Sequence, residues 1–248
     1  GVQMPKVRIL DCGDCAVTVE FGNEISPEIG KAVKKLDDLI KADKKKGITE
    51  TIPTFRSLTV VYSPTEISHK NLIKYLETAI EKSKKASGGN EEKTIHIIPV
   101  CYDGEFAEDL PDVAKLNGLT EEEVVNIHTG TDYLIYMIGF LPGFAYLGGL
   151  DKRIETPRLD SPRTKIPAGS VGIGGNQTGI YPLASPGGWR LIGKTPLLPF
   201  DPERKEPILY KSGEYIRFEK ITREEFDKID GLVKSGKYEH RIIKEGSK

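Results

Sequence analysis

The spacing of apolar residues changes period several times along the chain, and each change marks an element. Val7 to Leu10 and Ala16 to Phe21 have strand-like composition and flank turn residues Asp11-Cys12-Gly13-Asp14. From Ser26 the period becomes helical: Ile29, Val33, Leu36 and Ile40 recur on one face, with Ser26 as N-cap and Pro27 at the first position. That helix fades into Lys44-Lys45-Lys46-Gly47, cations that offset its dipole. A second strand pair, Thr49 to Thr54 and Leu58 to Tyr62, leads to a second helix from Glu66 to Ser83 that places Leu72, Ile73, Leu76, Ala79 and Ile80 on one side. The order ββαββα predicts a small sheet with two helices on one face, an α+β sandwich.

Ser87-Gly88-Gly89-Asn90-Glu91-Glu92 has linker composition and predicts a boundary between a domain over 1–88 and another over 93–248. Beyond it a strand (Thr94 to Cys101) leads to short helices, one opened by the capping box Thr120-Glu121-Glu122-Glu123. After Tyr133 to Ile138 the apolar runs shorten and are broken by Gly and Pro, the pattern of a β-barrel or sandwich. Thr222-Arg223-Glu224-Glu225 opens a late helix that Gly231 or Gly236 can stop, and Tyr238 to Ile243 reads as a last strand.

Composition sharpens the segment from Ile138 to Pro196. Gly139 to Pro196 holds 12 Gly and 7 Pro in 58 residues, interleaved with aromatics and Val/Ile, which predicts rigid loops with exposed backbone N–H groups rather than disorder. From Ser161 to Pro196 there is no Asp or Glu, while Arg163, Lys165, Arg190 and Lys194 lie there and Arg158 just upstream. Such a field suits a small anion. The whole chain of 248 residues has a formal net charge of -1, which gives no reason to expect nucleic acid or an anionic membrane as partner. The uncharged run Tyr133 to Leu150 is interrupted by Pro142 and four glycines, so it reads as a strand and loop rather than a membrane span. No basic-then-apolar start suggests a signal peptide, and three cysteines are too few for a disulfide scaffold, so a cytoplasmic location is expected.

Several motifs tempt. Gly188 to Thr195 matches the P-loop letters, but Pro196 and Pro199 follow where that motif needs a helix. Gly172-Ile173-Gly174-Gly175 lacks the third glycine of a dinucleotide fingerprint and reads as a tight strand or bulge. Cys12 and Cys15 have redox or zinc spacing, but the further ligands a zinc ion needs are missing, and the histidines are isolated, so no metal site is expected. His128, just before the platform, has two readings, a structural histidine near a helix end and a general acid/base. Ser170 and Ser185 sit in Gly/Pro loops without a nucleophile elbow.

Gly139-Phe140-Leu141-Pro142-Gly143-Phe144-Ala145-Tyr146-Leu147 resembles the GF-x-PGF-x-YL signature of the allophanate hydrolase subunit 1 family, also called the carboxyltransferase C/D domain or KipI family. The resemblance continues through Pro157-Arg158, Ser161-Pro162-Arg163, Pro167 to Val171, Gln177 to Pro182, Ser185 to Trp189, Ile192-Gly193 and Thr195-Pro196, with Gly13-Asp14 and Phe21-Gly22 near the start. Lys194 stands where the family pattern has an arginine. The resemblance implies a ferredoxin-like α+β first domain and a cyclophilin-like β-barrel second domain. It implies one of three roles. The first is the B subunit of an ATP-dependent 5-oxoprolinase, working with an A subunit and with a C subunit similar to allophanate hydrolase subunit 2. The others are an inhibitor of a sporulation histidine kinase and half of a biotin-dependent carboxyltransferase. On the first reading, family-matching positions suggest Arg158, Arg163 and Lys165 as contacts to a small anionic substrate. Gln177 and Tyr181 would orient a carbonyl, Tyr146 and Trp189 would wall the pocket, and His128 is the candidate acid/base.

Overall fold

A computed structural model describes residues 7–85 and 93–246. The linker-like stretch Ser87 to Glu92 lies outside the described residues. The chain divides into two compact units, Gly1–Asn90 and Glu91–Lys248.

In the first unit the elements run β1 (Arg8–Asp11), β2 (Ala16–Glu20), α1 (Pro27–Asp43), β3 (Ile48–Pro53), β4 (Ser57–Tyr62) and α2 (His69–Lys85). The strands form one antiparallel sheet in the order β1-β2-β4-β3. Ser26 caps α1 by accepting the Ile29 N–H at 3.2 Å, with Pro27 in the first turn. Val17, Val19, Leu58 and Val60 from the sheet meet Ile29, Val33, Leu36, Leu72 and Leu76 from the helices in one core. The second helix starts at His69, later than its apolar spacing suggests. Ser63 O accepts the N–H groups of Glu66 and Ile67 in a turn that buries Ile67, and Ser68 O takes the first helical bond, from Leu72 N–H.

The second unit contains β5 (Lys93–Cys101), α3 (Leu110–Asn117), α4 (Glu121–Thr129), β6 (Asp132–Ile138), β7 (Ala145–Gly148), β8 (Arg163–Ile166), β9 (Ser170–Gly174), β10 (Gln177–Ile180), β11 (Ser185–Gly187), β12 (Arg190–Lys194), β13 (Tyr215–Ile221), α5 (Arg223–Lys234) and β14 (Ile242–Glu245). One sheet follows the path β10-β9-β12-β5-β13-β6-β7, with β14 added along β5. β10 also lies alongside β7, so the ends of the path meet and the sheet is nearly closed, like a barrel. Its interior is filled by Ile98, Val100, Ile135, Leu147, Val171, Ile173, Ile192 and Phe218. β5 pairs parallel to β13 and is buried from Ile95 to Cys101, and Phe226 of α5 covers its end at Cys101 together with Ile221. Both capping boxes form as their letters predict. Gly231 lies within α5, and the chain turns out at Gly236, whose φ of 68° suits glycine.

Candidate functional site

Side chains alternate across a strand, so when Val171, Ile173 and Ile180 fill the barrel, Gly172, Gly174 and Gly179 face outward. These glycines receive Trp189. An ideal Cβ on Gly174 would stand 2.2 Å from Trp189 Cδ1, on Gly179 3.1 Å from Cζ3, and on Gly172 3.2 Å from its Cβ. These three glycines therefore bring the indole onto the backbone, Gly172 and Gly174 from the strand that Gly172-Ile173-Gly174 predicts. Phe144 and Tyr181 stand edge-on to the indole at 5.7 and 6.0 Å, and Tyr146 lies edge-on to Phe144 at 5.1 Å. The short antiparallel ribbon β8–β11 lies over this outer cluster through Ile166, which is fully buried, and Gly187, which abuts the Tyr181 hydroxyl. Tyr146, Tyr181 and Trp189 are thus brought together. Gln177 opens β10 opposite Gly174, beside the same indole.

The segment without acids in sequence is not without them in space. Arg163 Nη2 donates to Asp109 Oδ1 at 2.9 Å and to Glu108 Oε2 at 3.3 Å. Arg190 donates to Pro157 O at 3.0 Å and reaches Asp112 at 3.4 Å. Lys194 lies 5.0 Å from the centre of the Phe106 ring. Arg158 and Lys165 are exposed and form no ion pair among the described residues. The expected group of free cations is therefore reduced, and the acids that reduce it come from the turn before α3 and from α3. Asp109 stands at the N-cap position of α3, yet its side chain makes no cap. It is buried and binds Arg163 through one oxygen and the Leu191 N–H, at 2.6 Å, through the other. Before Leu110-Pro111 such a residue reads as an ordinary cap, so nothing local in sequence shows this role. Asp109→Asn removes the charge that balances Arg163 and is expected to lower stability by about 2 kcal/mol, discounted for the partial exposure of Arg163. A urea midpoint equal to that of the parent chain contradicts this reading.

Two polar atoms under the ribbon have no partner. Arg163 Nη1 and Ser185 Oγ are buried without a hydrogen bond. They sit on facing strands, Gly187 opposite Arg163 and Ser185 opposite Ile166, with a register shift between them. An unsatisfied buried polar group costs about 1–3 kcal/mol, so each of these atoms has a hydrogen bond still to make. Tyr181 is held beside them. Burial raises its phenol pKa, against the pull of the Trp189 backbone N–H and of the positive charges of Arg158 and Arg163. Its hydroxyl stays protonated at neutral pH and is available as a donor.

His128 lies elsewhere, fully buried among the barrel residues. Thr178 donates its hydroxyl to Gly172 O at 3.0 Å, so its oxygen accepts from His128 Nε2–H at 2.8 Å. The other ring nitrogen, Nδ1, then accepts from the Tyr102 hydroxyl at 2.7 Å. Phe218 stacks on the ring at 4.5 Å. Burial pushes the imidazole pKa down to about 3. With both nitrogens engaged and no access, His128 is a neutral core histidine, and the acid/base role expected of it does not fit this placement. Among the described residues no three His, Cys, Asp or Glu side chains are grouped as a metal ion would need. The P-loop letters at Gly188 to Thr195 form the strand β12, with no helix following. No helix among the described residues is long and apolar enough to cross a membrane.

Comparison with known proteins gives this geometry a context. The chain is 43% identical over 230 residues to the 5-oxoprolinase B subunit of Bacillus subtilis (strain 168), covering 89% of this chain and 95% of that one. It is 40% identical over 215 residues to the 5-oxoprolinase B subunit of Escherichia coli O157:H7, covering 87% and 96%. The crystal structure of TTHA0988 matches with a TM-score of 0.75 at 33% identity, covering 87% of this chain but only 41% of that longer one. The model of the family described as carboxyltransferase domain, subdomain C and D, matches residues 7–210. The chain therefore belongs to the carboxyltransferase domain family, subdomain C and D.

Proposed function

We propose that the chain acts as the B subunit of an ATP-dependent 5-oxoprolinase, a hydrolase that opens the ring amide of 5-oxoproline to give L-glutamate. The names of its relatives at 40% and 43% identity over almost their full length support this reading above the kinase-inhibitor and carboxyltransferase alternatives. The observation that carries the site assignment is that Arg163 Nη1 and Ser185 Oγ are buried without partners on the two strands of the ribbon, with the positive charge of the exposed Arg158 reaching Tyr181 and Lys165 exposed on β8. The substrate has one carboxylate and one lactam carbonyl. Arg158 and the spare face of Arg163 suit the carboxylate as charge-assisted donors, while Ser185 and Tyr181 suit a neutral oxygen. In this reading Gln177 orients the ring amide, Tyr146 and Trp189 serve as the apolar wall, and Lys165 adds positive field at the rim. ATP would supply a phosphoryl group to the lactam oxygen, which makes the ring carbon open to attack by water so that the C–N bond breaks and the resulting acyl phosphate is hydrolysed to glutamate and phosphate. Cations positioned beforehand stabilise the charge that develops there. Glu108, exposed beside Arg163, is a carboxylate with the solvent access needed to take a proton from water.

The site is one-sided, so the remaining groups come from partner chains, the A subunit of 5-oxoprolinase and a C subunit similar to allophanate hydrolase subunit 2. That the matching module of TTHA0988 is part of a longer chain supports an association of this kind. We assign the complex to the cytoplasm. We also read the first unit, 1–88, as ferredoxin-like. Its order β1-β2-β4-β3 is what a βαββαβ sheet becomes when its last strand is moved to the front of the chain. The second, 93–248, we read as a cyclophilin-like barrel. The test of the function is glutamate release from 5-oxoproline by the chain co-purified with its A and C partners. Release that needs both ATP and this chain is expected. An equal rate without this chain, or without ATP, overturns the proposal.

A further inference from the structure

The turn between β1 and β2 carries Cys12 and Cys15, two exposed free thiols, while Cys101 is buried in β5. The function proposed above uses none of them. The turn is pinned at both cysteines by main-chain bonds: Cys12 N–H donates to Ala16 O at 3.0 Å, and Tyr62 N–H donates to Cys15 O at 2.8 Å. The hairpin register beneath it pairs Asp11 with Val17. The bond from Cys12 to Ala16 closes a reversal over five residues, Cys12 to Ala16, and Cys12 and Cys15 are three positions apart within it, the spacing at which a reversing chain brings Cα atoms to within about 7 Å. Disulfides span Cα separations of about 4.4–6.8 Å. Gly13, between the thiols, has φ of 69°, and a Cβ there would meet nothing within 4 Å, so the backbone at this point of the turn is open to solvent. Four residues with a flexible glycine can adjust to close the bridge, while the strands on either side stay paired. Burial raises the Cys101 thiol pKa and removes its sulfur from solvent, which makes it an internal control.

We propose that Cys12 and Cys15 form a reversible dithiol site, which small disulfide compounds oxidise to an intrachain disulfide. One cysteine thiolate attacks a sulfur of the incoming disulfide, forming a mixed disulfide and expelling one small thiol. The second cysteine attacks the protein sulfur of that adduct and expels the other small thiol. The two electrons lost by the cysteines reduce the incoming disulfide, and their two protons end on the two released thiols.

Cystamine is a suitable probe, because Asp14 lies between the thiols and Asp11, bonded to His69 at 2.8 Å, precedes them, and these carboxylates favour a cationic reagent. The full chain is treated with cystamine, alkylated and analysed by intact mass and peptide mapping without reductant. The expected product is a monomer lighter by about 2 Da, with Cys12 joined to Cys15, Cys101 a free thiol, and full reversal by a dithiol reductant. Cys12→Ser is expected instead to keep one cystamine-derived adduct at Cys15. Wild-type protein that accumulates lasting mixed disulfides, links into dimers or reacts at Cys101 before Cys12 and Cys15 overturns the proposal.

Discussion

Acidification from pH 6.5 to pH 3 is expected to remove on the order of 5 kcal/mol of folding stability through His128 alone. Its imidazole has an ordinary pKa of 6.5 and a folded value of about 3. Between those values the unfolded chain binds a proton that the folded chain does not. The contribution is therefore complete above pH 6.5 and is lost as the pH falls toward 3. The hydrogen bonds show why the folded state refuses the proton. An imidazolium offers two N–H donors, but Tyr102 already donates to Nδ1. Protonation would turn that hydroxyl away, inside a core where it has no other acceptor, and would place a charge against the face of Phe218. Urea denaturation at pH 7 and pH 4 measures the effect. The parent chain should lose several kcal/mol more than His128→Gln, which has no proton to gain. Equal losses in the two proteins contradict the assignment. Carboxylates held in ion pairs, such as Asp132 with Lys93 and Arg217, add to acid unfolding in both proteins and cancel in the comparison.

Trp189→Ala is expected to cost about 3–5 kcal/mol, the range for removing a large buried aromatic side chain. The indole is buried against three glycines, which have no side chain to move into the space it would leave, and against Phe144 and Tyr181. Gly174→Ala should itself cost about 2–3 kcal/mol, because its new methyl meets Trp189 Cδ1 at 2.2 Å. The two changes should not add. In the Trp189→Ala background the methyl of Gly174→Ala has room, and its cost should fall near zero, giving a coupling of about 2 kcal/mol in a double-mutant cycle. Additive losses would show that the indole does not rest on Gly174.

What the sequence displayed and what it hid divide by range. Ser26, Thr120 and Thr222 announced their helices because a cap acts over three residues, and Pro196 excluded the P-loop because it breaks the helix that motif requires. The strand pairs of the first unit were visible for the same reason. Closure of the sheet through β10 beside β7 was not, since it depends on which distant edges meet. The pairing of Arg163 with Asp109 joins residues 54 positions apart, so the Ser161–Pro196 segment looked more cationic in sequence than it is in space. The glycine count foretold close backbone approach but not that Trp189 is what approaches. His128 illustrates the same limit. Its letter and its place near a helix end fit a core histidine and a catalytic one equally, and only its partners Tyr102 and Thr178 decide between them.

The outer ribbon as the seat of the substrate anion is the central claim, and two small substitutions address it without disturbing the fold. Arg158 is exposed and forms no ion pair among the described residues, so Arg158→Ala should leave stability unchanged, whereas Ser185→Ala removes a buried hydroxyl without a partner and should leave stability equal or raise it by up to about 1–3 kcal/mol. The direct measurement is KM for 5-oxoproline in ATP-dependent glutamate formation by the co-purified complex. Arg158→Ala should raise KM by about 10- to 100-fold and Ser185→Ala by about 3- to 10-fold, the factors for losing a charge-assisted and a neutral hydrogen bond. An unchanged KM in both variants, in complexes that assemble and turn over normally, would contradict the placement of the substrate under the β8–β11 ribbon.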